Sequence, residues 1–415
     1  MQTLWARTNV SNNTIMVVQC DGPIAPERVR RAVARLLDFC PWPAARLRRG
    51  FPWGALHWAA GPRATLTPPP VQQRSVASEA ALHDVLEAEL NGAIDARRDP
   101  PCRFLALDHG SNGFLVVTWF HPLMDPRGAQ NLLRHLSQLD ESNGHAPWAD
   151  ALPAFVPERD PRPLRERGRL AGRGVPYMRA LARVPVVSPG TGLTAPGRAR
   201  FRRYGFVDRD PAGDTRVTRE MCWRLAVVGQ ALAELWRRRG LPDIPFLVPI
   251  SVDLRPKGDP GPTFGNALAF HFARFTPSET KDVAGLARTL RHHMADALRE
   301  GLIEANAVGM QFLKYRPVSM IMRYLPGAAS GETFSFNCAD IADFPPALRT
   351  VFGRRIVNVY HAPAVLPRPG LGIFFNRCAG TNNLIVSWVD GAVSDEDVEQ
   401  IASAVGEGME WTSRP

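Results

Sequence analysis

FLVVTWFHPLMDPRG, residues 114 to 128, joins an apolar run to a histidine and an aspartate. Its first seven residues are apolar, β-branched or aromatic, which is typical of a buried strand. The strand is expected to stop at His121, because Pro122 lacks the N–H that a sheet ladder needs. Asp125 follows in the turn. The segment from Ala129 to Leu139 then has the spacing of an amphipathic helix, with its leucines on one face.

His121 lies where a buried strand ends and a helix has not yet begun, so its side chain is well placed to project into a cleft. Imidazole is the side chain that accepts and returns a proton near pH 7. A histidine at a strand end is more often structural, so the residue type alone does not decide its role. The flanks favour a function: residues 100–107 predict a second strand, and the turn at 109–113 joins the two strands into a hairpin.

These residues resemble the core of the thioester-dependent acyltransferase superfamily, whose motif is His-His-x-x-x-Asp-Gly. That group includes chloramphenicol acetyltransferase, plant BAHD acyltransferases, nonribosomal-peptide condensation domains, polyketide-associated acyltransferases and wax ester synthases. The second motif histidine, which is the catalytic base of the family, matches His121, and the aspartate matches Asp125. Phe120 replaces the first histidine, and Pro126 replaces the glycine. Gly128, two residues later, is expected to supply the freedom that the turn loses.

Two further features, after the histidine motif, extend the resemblance into the C-terminal half. Residues 244–252 predict a strand that runs into Asp253-Leu254-Arg255-Pro256, and Phe264-Gly265-Asn266-Ala267 precedes the next predicted strand, 268–275. The family has the same features in the same order. The third feature is the segment 333–340, because similar Ser- and Asn-containing strand ends lie across the family's channel from the histidine. The Asp-Phe-Gly-Trp sequence of BAHD enzymes is absent, so that branch is excluded.

The resemblance implies two chloramphenicol-acetyltransferase-like subdomains that form a V-shaped pseudo-dimer around a central channel. The alternation of predicted strands and helices agrees with an α/β (α+β two-layer) chain. We expect an N-terminal subdomain with the motif, 1–150, a linker rich in Arg, Pro and Gly, 151–200, and a C-terminal subdomain, 201–415. A short helical piece at 177–182 is expected to dock on the surface. A membrane-lying helix is the alternative, which the short apolar face disfavours.

Length and composition bound the classes of function. With 415 residues, the chain is too long for one ordinary core. A hydrophobic content of 45% and a charged content of 22% are ordinary for a globular protein. No apolar run reaches membrane-spanning length, and the first residues lack a signal-peptide core, so we expect a cytoplasmic protein. The two pseudo-repeated halves predict a monomer.

The cysteines do not predict a metal site. There are six, they lie far apart in the sequence, and no two have the spacing of a zinc finger. The zinc-binding pattern His-Glu-x-x-His is also absent. We therefore expect buried free thiols, no metal and no tightly bound cofactor.

Positive charge is concentrated in one segment. The net charge is +10, and residues 157–209 hold 13 arginines, no lysine and four acids, which gives +9. Such a segment could meet the phosphates of coenzyme A, an acidic carrier protein or an anionic membrane surface. Nucleic acid is disfavoured, because no recognisable binding module accompanies the charge. The alternative is an effect of codon usage, since the whole chain has three lysines.

The resemblance also implies roles for single residues. His121 is expected to act as a general base on a hydroxyl or amine acceptor that attacks a thioester, without an acyl-enzyme. The co-substrate is expected to be a coenzyme A or phosphopantetheine thioester, delivered as acyl-CoA or acyl-carrier protein. Asp125 is expected to pair with an arginine and hold the loop, with Arg255 as the first candidate and Arg46 as the second. The candidates for contacting an oxyanion or positioning the substrate are Ser335, Asn337 and Thr333, with strand-end capping as the alternative for each.

Three functions stay open. The first is an acyltransferase that modifies a small molecule in secondary-metabolite or lipid biosynthesis. The second is a stand-alone condensation enzyme that joins two carrier-bound or soluble intermediates through an ester or amide bond. The third is a non-enzymatic protein that keeps the fold for binding or docking. The departures at Phe120 and Pro126 are what keep the third function open.

Overall fold

The structure is a computed structural model that describes residues 11–50, 54, 56–142, 161–193, 197–209, 220–255, 264–313, 331–341 and 343–413. The helices in these residues are α1 (Pro26–Phe39), α2 (Glu79–Asn91), α3 (Pro126–Glu141), α4 (Leu164–Ala182), α5 (Met221–Arg238), α6 (Val283–Arg299), α7 (Leu302–Leu313) and α8 (Asp395–Gly408). The strands are β1 (Asn13–Cys20), β2 (Arg46–Arg49), β3 (Leu56–Ala59), β4 (Val71–Val76), β5 (Cys102–His109), β6 (Asn112–Phe120), β7 (Ala199–Asp208), β8 (Phe246–Asp253), β9 (Leu268–Phe275), β10 (Asn337–Asp340), β11 (Thr350–Val351), β12 (Arg354–Pro363), β13 (Leu371–Cys378), β14 (Thr381–Val389) and β15 (Trp411–Ser413). The predicted mixture of helices and strands is confirmed.

The first sheet has six strands in the order β11-β12-β1-β6-β5-β4. The predicted hairpin is confirmed, because β5 and β6 pair antiparallel from Cys102 opposite Trp119 to His109 opposite Asn112. β12 pairs antiparallel with β1 and comes from the C-terminal half of the sequence. The division into two subdomains stays a prediction, and residues 350–363 belong to the sheet of the first half.

The second sheet has five strands in the order β10-β13-β14-β7-β15. β10 runs parallel to β13, and the other neighbours are antiparallel. β8 and β9 form a separate two-stranded hairpin, as do β2 and β3. Ser335, just before β10, exchanges hydrogen bonds with Leu247 of β8. The β8–β9 hairpin is thereby attached to the edge of the second sheet.

Strand β6 is mostly apolar because both of its faces are buried. Leu115, Val117 and Trp119 pack in one core with α1 and α3. Phe114 and Val116 point the other way, into a core that also contains residues of α2 and of the second sheet. Burying each large apolar side chain contributes on the order of 1.5–3 kcal/mol, so β6 is anchored on both sides. The strand end that carries His121 is therefore rigidly placed.

The region predicted as a linker contains a 19-residue helix, α4. The predicted helical piece at 177–182 is wrong in length, because it is only the C-terminal end of this helix. α4 packs against α7, where a Cβ on Gly174 would lie 2.8 Å from Oδ1 of Asn306. Its Tyr177 hydroxyl accepts a hydrogen bond of 3.3 Å from the Phe272 N–H of β9. Frequent arginines and glycines hide the narrow apolar stripe from a periodicity analysis.

All six cysteines are free and buried, as predicted. Burial raises the pKa of Cys102 to about 12. A thiol that stays protonated at neutral pH is a poor nucleophile, so Cys102 packs as a small apolar side chain. Among the described residues, no helix is long and apolar enough to cross a membrane.

Candidate active site

His121 stands at the junction between β6 and α3. β6 ends at Phe120, and His121 begins a single 3₁₀ turn that runs to Leu123, with Pro122 in its first positions. The backbone N–H of His121 donates to the Asn12 carbonyl at 2.8 Å, which fixes the turn beside the start of β1. The side chain is half-buried, so it is packed against protein yet reachable.

The protonation state of His121 suits a base. Burial lowers the pKa of His121 below its usual range. Hydrogen bonds with the backbone of His121 itself and of Met124, together with the negative charge of Asp125, oppose this effect and are smaller. The imidazole is therefore neutral at pH 7, which is the form that accepts a proton.

Three side-chain donors hold the loop between His121 and Asp125. Nδ2 of Asn266 donates to the Pro122 carbonyl at 2.9 Å, and Nε1 of Trp58 donates to the same oxygen at 3.3 Å. Nε1 of Trp119 donates to the Met124 carbonyl at 2.9 Å. The loop carbonyls are thus held from three different parts of the chain, which limits the positions that the imidazole can take.

Asp125 is a structural carboxylate at the start of α3. It caps the helix, because Oδ1 accepts from the Gly128 N–H at 2.8 Å, and Oδ2 accepts from the Ala267 N–H at 2.9 Å. Nη2 of Arg255 contacts the two oxygens at 2.9 and 3.0 Å. Only 1% of the Asp125 side chain and 4% of the Arg255 side chain are exposed. Both carboxylate oxygens are therefore occupied by protein groups.

The structure brings together Asp125 and the first predicted partner, and not the second. Arg46 donates instead to the carbonyls of Arg98 and Ala44, at 2.9 and 2.8 Å. Arg255 also bonds to Oδ1 of Asp253 at 3.1 Å and to the Gly265 carbonyl at 3.0 Å. These bonds join the end of β8, the segment before β9 and the start of α3.

Pro126 and Gly128, at the start of α3, are accommodated for separate physical reasons. Pro126 occupies the first turn of the helix, where its missing N–H has no intrahelical partner to lose and its fixed φ suits the helix. Gly128 was expected to supply turn freedom, and this is wrong, because its φ is not positive. A Cβ at Gly128 would lie 1.9 Å from the Phe264 carbonyl oxygen. The glycine is needed for the close approach of α3 to residues 264–265.

The three candidate polar residues differ in what they contact. The Ser335 hydroxyl accepts from the Leu247 N–H at 3.1 Å and is 1% exposed, and the Thr333 hydroxyl donates to the Arg368 carbonyl at 3.4 Å. Both contacts favour strand-end capping. Asn337 is half-buried at the start of β10, and within the described ranges its side chain makes no hydrogen bond. Asn337 therefore stays the best candidate for contacting a substrate.

Sequence reasoning missed Trp58, Trp119 and Asn266 as supports of the loop. Asn266 lies inside a segment that the resemblance singled out. The sequence therefore pointed to this segment, but not to the hydrogen bond between Asn266 and the Pro122 carbonyl. Nothing in the sequence near Trp58 points to Pro122, because the contact joins residues 64 positions apart. Among the described residues, no group of three or more His, Cys, Asp or Glu side chains could hold a metal ion.

Comparison with known proteins gives the fold. No protein-family model matches the sequence, and no curated protein matches it. The chain is similar to the TRI3 trichothecene 15-O-acetyltransferase from Fusarium sporotrichioides, with 13% identity over 97% of this chain and 91% of that one, and a TM-score of 0.67. It is also similar to the first condensation domain of the calcium-dependent antibiotic synthetase, with 14% identity over 100% and 96% of the two chains, and a TM-score of 0.67.

A third similar structure is TRI101 of F. graminearum, which was solved with coenzyme A and deoxynivalenol. The identity is 13%, the coverage is 94% of this chain and 96% of that one, and the TM-score is 0.62. At such identities the likeness establishes the fold and not the activity. The predicted fold class, chloramphenicol-acetyltransferase-like and shared with condensation domains, is confirmed.

Proposed function

We propose that this protein is an acyltransferase in which His121 acts as the general base. The observation that carries the proposal is a neutral, half-buried imidazole on a turn whose backbone is held by Asn266, Trp58 and Trp119. A base must be both unprotonated and well positioned before substrate arrives. The fold supports the assignment, because similar structures include an acetyltransferase and a condensation domain.

The reaction would proceed by direct transfer. His121 removes the proton from a hydroxyl or amine as that atom attacks the thioester carbonyl, which forms a tetrahedral oxyanion. The carbon–sulfur bond then breaks, and the imidazolium returns its proton to the departing sulfur. The products are one ester or amide and one free thiol. General base catalysis supplies about 10²–10⁴-fold, so positioning and oxyanion stabilisation must supply the rest.

Asn337 and Asp125 take different parts in this mechanism. Asn337 is the proposed donor to the oxyanion or to the substrate, since its amide is not engaged by the described residues. Asp125 moves no proton, because Arg255 and two backbone N–H groups occupy its oxygens. Its proposed role is to hold the turn that carries His121.

The donor is proposed to be a coenzyme A or phosphopantetheine thioester, and the acceptor a small molecule with a hydroxyl or amine. Coenzyme A in the TRI101 structure and the carrier-based chemistry implied by a synthetase condensation domain support these two donor classes. No tightly bound cofactor is proposed. The cytoplasmic location and the monomeric state stay predictions.

The replacement of the first motif histidine does not favour a non-catalytic protein. Phe120 is buried with Leu47 and Ala96, and its ring meets Trp58 edge to face at 6.3 Å between centroids. Successive strand residues point to opposite faces, so Phe120 packs in a small core rather than beside the base. The change therefore alters the packing of that core and not the residue type of the proposed base.

The test is acceptor-dependent thiol release from purified protein. Acyl-CoA and acyl-carrier thioesters would be offered with mixed alcohols and amines, and wild type would be compared with His121→Ala. His109→Ala is the matched control, because His109 ends the neighbouring strand β5. We expect release in wild type and in the control, and at least a hundredfold loss in His121→Ala, on the order of one general base. Equal release from His121→Ala would overturn the proposal.

A further inference from the structure

Helix α4 carries its arginines on one side. Between Leu164 and Arg183 there are six arginines and one acid, Glu166. With a rotation of about 100° per residue, five of the six fall within an arc of about 120°. We call these five the arginine stripe: Arg165, Arg169, Arg173, Arg179 and Arg183. The sixth, Arg167, lies on the packed side, where it donates to Gln311 and stands over the Phe312 ring.

The arginine stripe faces solvent, and no described carboxylate neutralises it. All five side chains are exposed, and within the part of the chain that the structure describes none of them forms an ion pair with a carboxylate. Arg173 donates only to the Glu300 carbonyl, at 3.3 Å. Arg165 and Arg183 are 18 positions apart, or about 27 Å along the helix axis. Arg179 and Arg183 lie at the C-terminal end of α4, where the helix dipole favours a positive charge. Arg165, Arg169 and Arg173 follow one another at four-residue spacing, which destabilises a helix, and no carboxylate among the described residues offsets that repulsion.

The residues between the arginines are small. Gly168 and Gly172 lie on the exposed side of α4, and a Cβ on either would meet nothing within 4 Å. Glycine inside a helix is unfavourable, and no contact with a described residue requires it at these two positions. Pro176 and Ala180 continue the same exposed face. The backbone of α4 is therefore accessible to a surface that approaches between the arginines.

We propose that the arginine stripe is the docking surface for an acidic helix of the carrier protein that delivers the acyl group. Guanidinium groups bind carboxylates through paired hydrogen bonds, and an acidic helix presents carboxylates along a length that matches the stripe. That the partner is a carrier protein rests on the proposed acyl transfer. The charge and geometry of α4 do not depend on that function.

The length and composition of the stripe disfavour the other anionic partners. The phosphates of one coenzyme A molecule are compact and would engage one or two arginines rather than five over about 27 Å. A membrane-lying helix inserts a row of large apolar side chains. The large apolar side chains that α4 exposes are Leu164 and Val175, and Gly168, Gly172, Pro176 and Ala180 fill the face between the arginines. An acidic protein surface satisfies both the charge and the close approach.

Helix α4 is fixed to the hairpin that supports the candidate active site. Tyr177 bonds to the backbone of Phe272 in β9, and Ala267, just before β9, bonds to Asp125. Ala267 and Phe272 are five positions apart, which corresponds to about 17 Å of extended strand. A carrier docked on α4 is thus held by the same part of the molecule that positions the His121 turn, and a long flexible thioester arm suits that separation.

The direct test is binding of a fluorescent acyl carrier protein whose thioester is replaced by a stable amide. The test variant is Arg165→Gln/Arg169→Gln/Arg179→Gln. The matched control is Arg31→Gln/Arg74→Gln/Arg349→Gln, which removes the same charge from exposed arginines that lie outside the stripe. We expect Kd to rise about tenfold or more in the test variant only, with a weaker salt dependence. Unchanged binding in the test variant, or no binding by wild type, would overturn the proposal.

Two further arms separate this proposal from its alternatives. Sedimentation with phosphatidylserine vesicles tests the membrane: stripe-dependent vesicle binding without carrier binding would overturn the carrier assignment. Transfer from acyl-CoA tests the proposed function separately. We expect the test variant to keep transfer from acyl-CoA and lose transfer from the carrier. If wild type binds the carrier through the stripe but transfers from no donor, the docking surface stands and the proposed function fails.

Discussion

Asp125 and Arg255 lie 130 positions apart and form a buried ion pair, with Nη2 of Arg255 at 2.9 and 3.0 Å from the two carboxylate oxygens. The pair joins the His121 turn to the end of β8. Removing one partner of a buried pair leaves the other charge without compensation. Asp125→Ala and Arg255→Ala should each lower the free energy of unfolding by about 3–5 kcal/mol, as measured by urea denaturation.

The double variant and an exposed pair provide the controls for this prediction. Asp125→Ala/Arg255→Ala should cost less than the sum of the two single changes, because neither charge is then left alone. Arg30→Ala breaks the exposed pair with Glu27 and should change stability by less than about 1 kcal/mol. If Asp125→Ala stayed fully folded but inactive, a direct chemical role for Asp125 would be the better account.

Gly128→Ala should lower both stability and activity. The added Cβ would meet the Phe264 carbonyl at 1.9 Å, so α3 must move away from residues 264–265. Overpacking of this kind costs about 1–3 kcal/mol. Gly168→Ala is the matched helical control, since nothing lies within 4 Å of its Cβ, and it should stabilise by about 0.5–1 kcal/mol. Urea denaturation of both variants checks the difference, and equal effects would contradict the assigned role of Gly128.

Asn266→Ala should lower kcat more than it lowers stability. It removes the 2.9 Å hydrogen bond to the Pro122 carbonyl beside His121, and a small misplacement of a catalytic group can cost about 10²-fold. Asn382→Ala removes a similar bond of 2.8 Å to Asp208 in the second sheet and should leave kcat unchanged. Steady-state kinetics of the two variants would decide. A normal kcat in Asn266→Ala would mean that the other donors hold the turn alone.

Acid should destabilise the protein partly through His361. This side chain is fully buried, and neither ring nitrogen has a hydrogen-bond partner in the described chain. Burial lowers the pKa of His361 to about 3. In the unfolded chain, His361 is protonated below about pH 6.5, whereas in the folded chain it stays neutral down to about pH 3. The free energy of unfolding therefore falls as the pH falls from about 6.5 to about 3.

Comparison of wild type with His361→Phe at pH 7 and pH 5 measures this contribution. Wild type should lose about 2 kcal/mol more than the variant between the two pH values, from a difference of about 1.5 pH units. The comparison uses differences within each protein, so the packing cost of phenylalanine cancels. Equal pH dependence in the two proteins would contradict the assignment of a neutral, unprotonated His361.

Local features of the candidate site could be predicted from the sequence. The run before His121 predicted β6, and its turn predicted the hairpin with β5, because strand period and turn chemistry are local properties. The resemblance pointed to Arg255 as the partner of Asp125, and the structure places the two in contact. The start of the following helix at Ala129 was three residues late, since Pro126 suits the first turn of a helix.

Long-range features could not be predicted in the same way. The insertion of β12 into the first sheet depends on register between strands more than 300 positions apart. Trp58 and Asn266 reach the Pro122 carbonyl through tertiary packing that leaves no local pattern. Helix α4 lies in the region predicted as a linker, and its full length escaped prediction because its buried stripe is narrow and arginines fill the rest. The hydroxyls of Ser335 and Thr333 were plausible donors until their backbone partners were known.

The most direct test of the central claim is the pH dependence of acceptor-dependent thiol release, measured as kcat/KM. A neutral His121 is required, and burial lowers its pKa, so activity should fall only below about pH 6.5 and stay level from pH 7 to 8. His121→Ala should lose that acidic limb together with most of the rate. A limb that persists in His121→Ala, or a rate that needs protonation near pH 7, would contradict the role of His121 as the base.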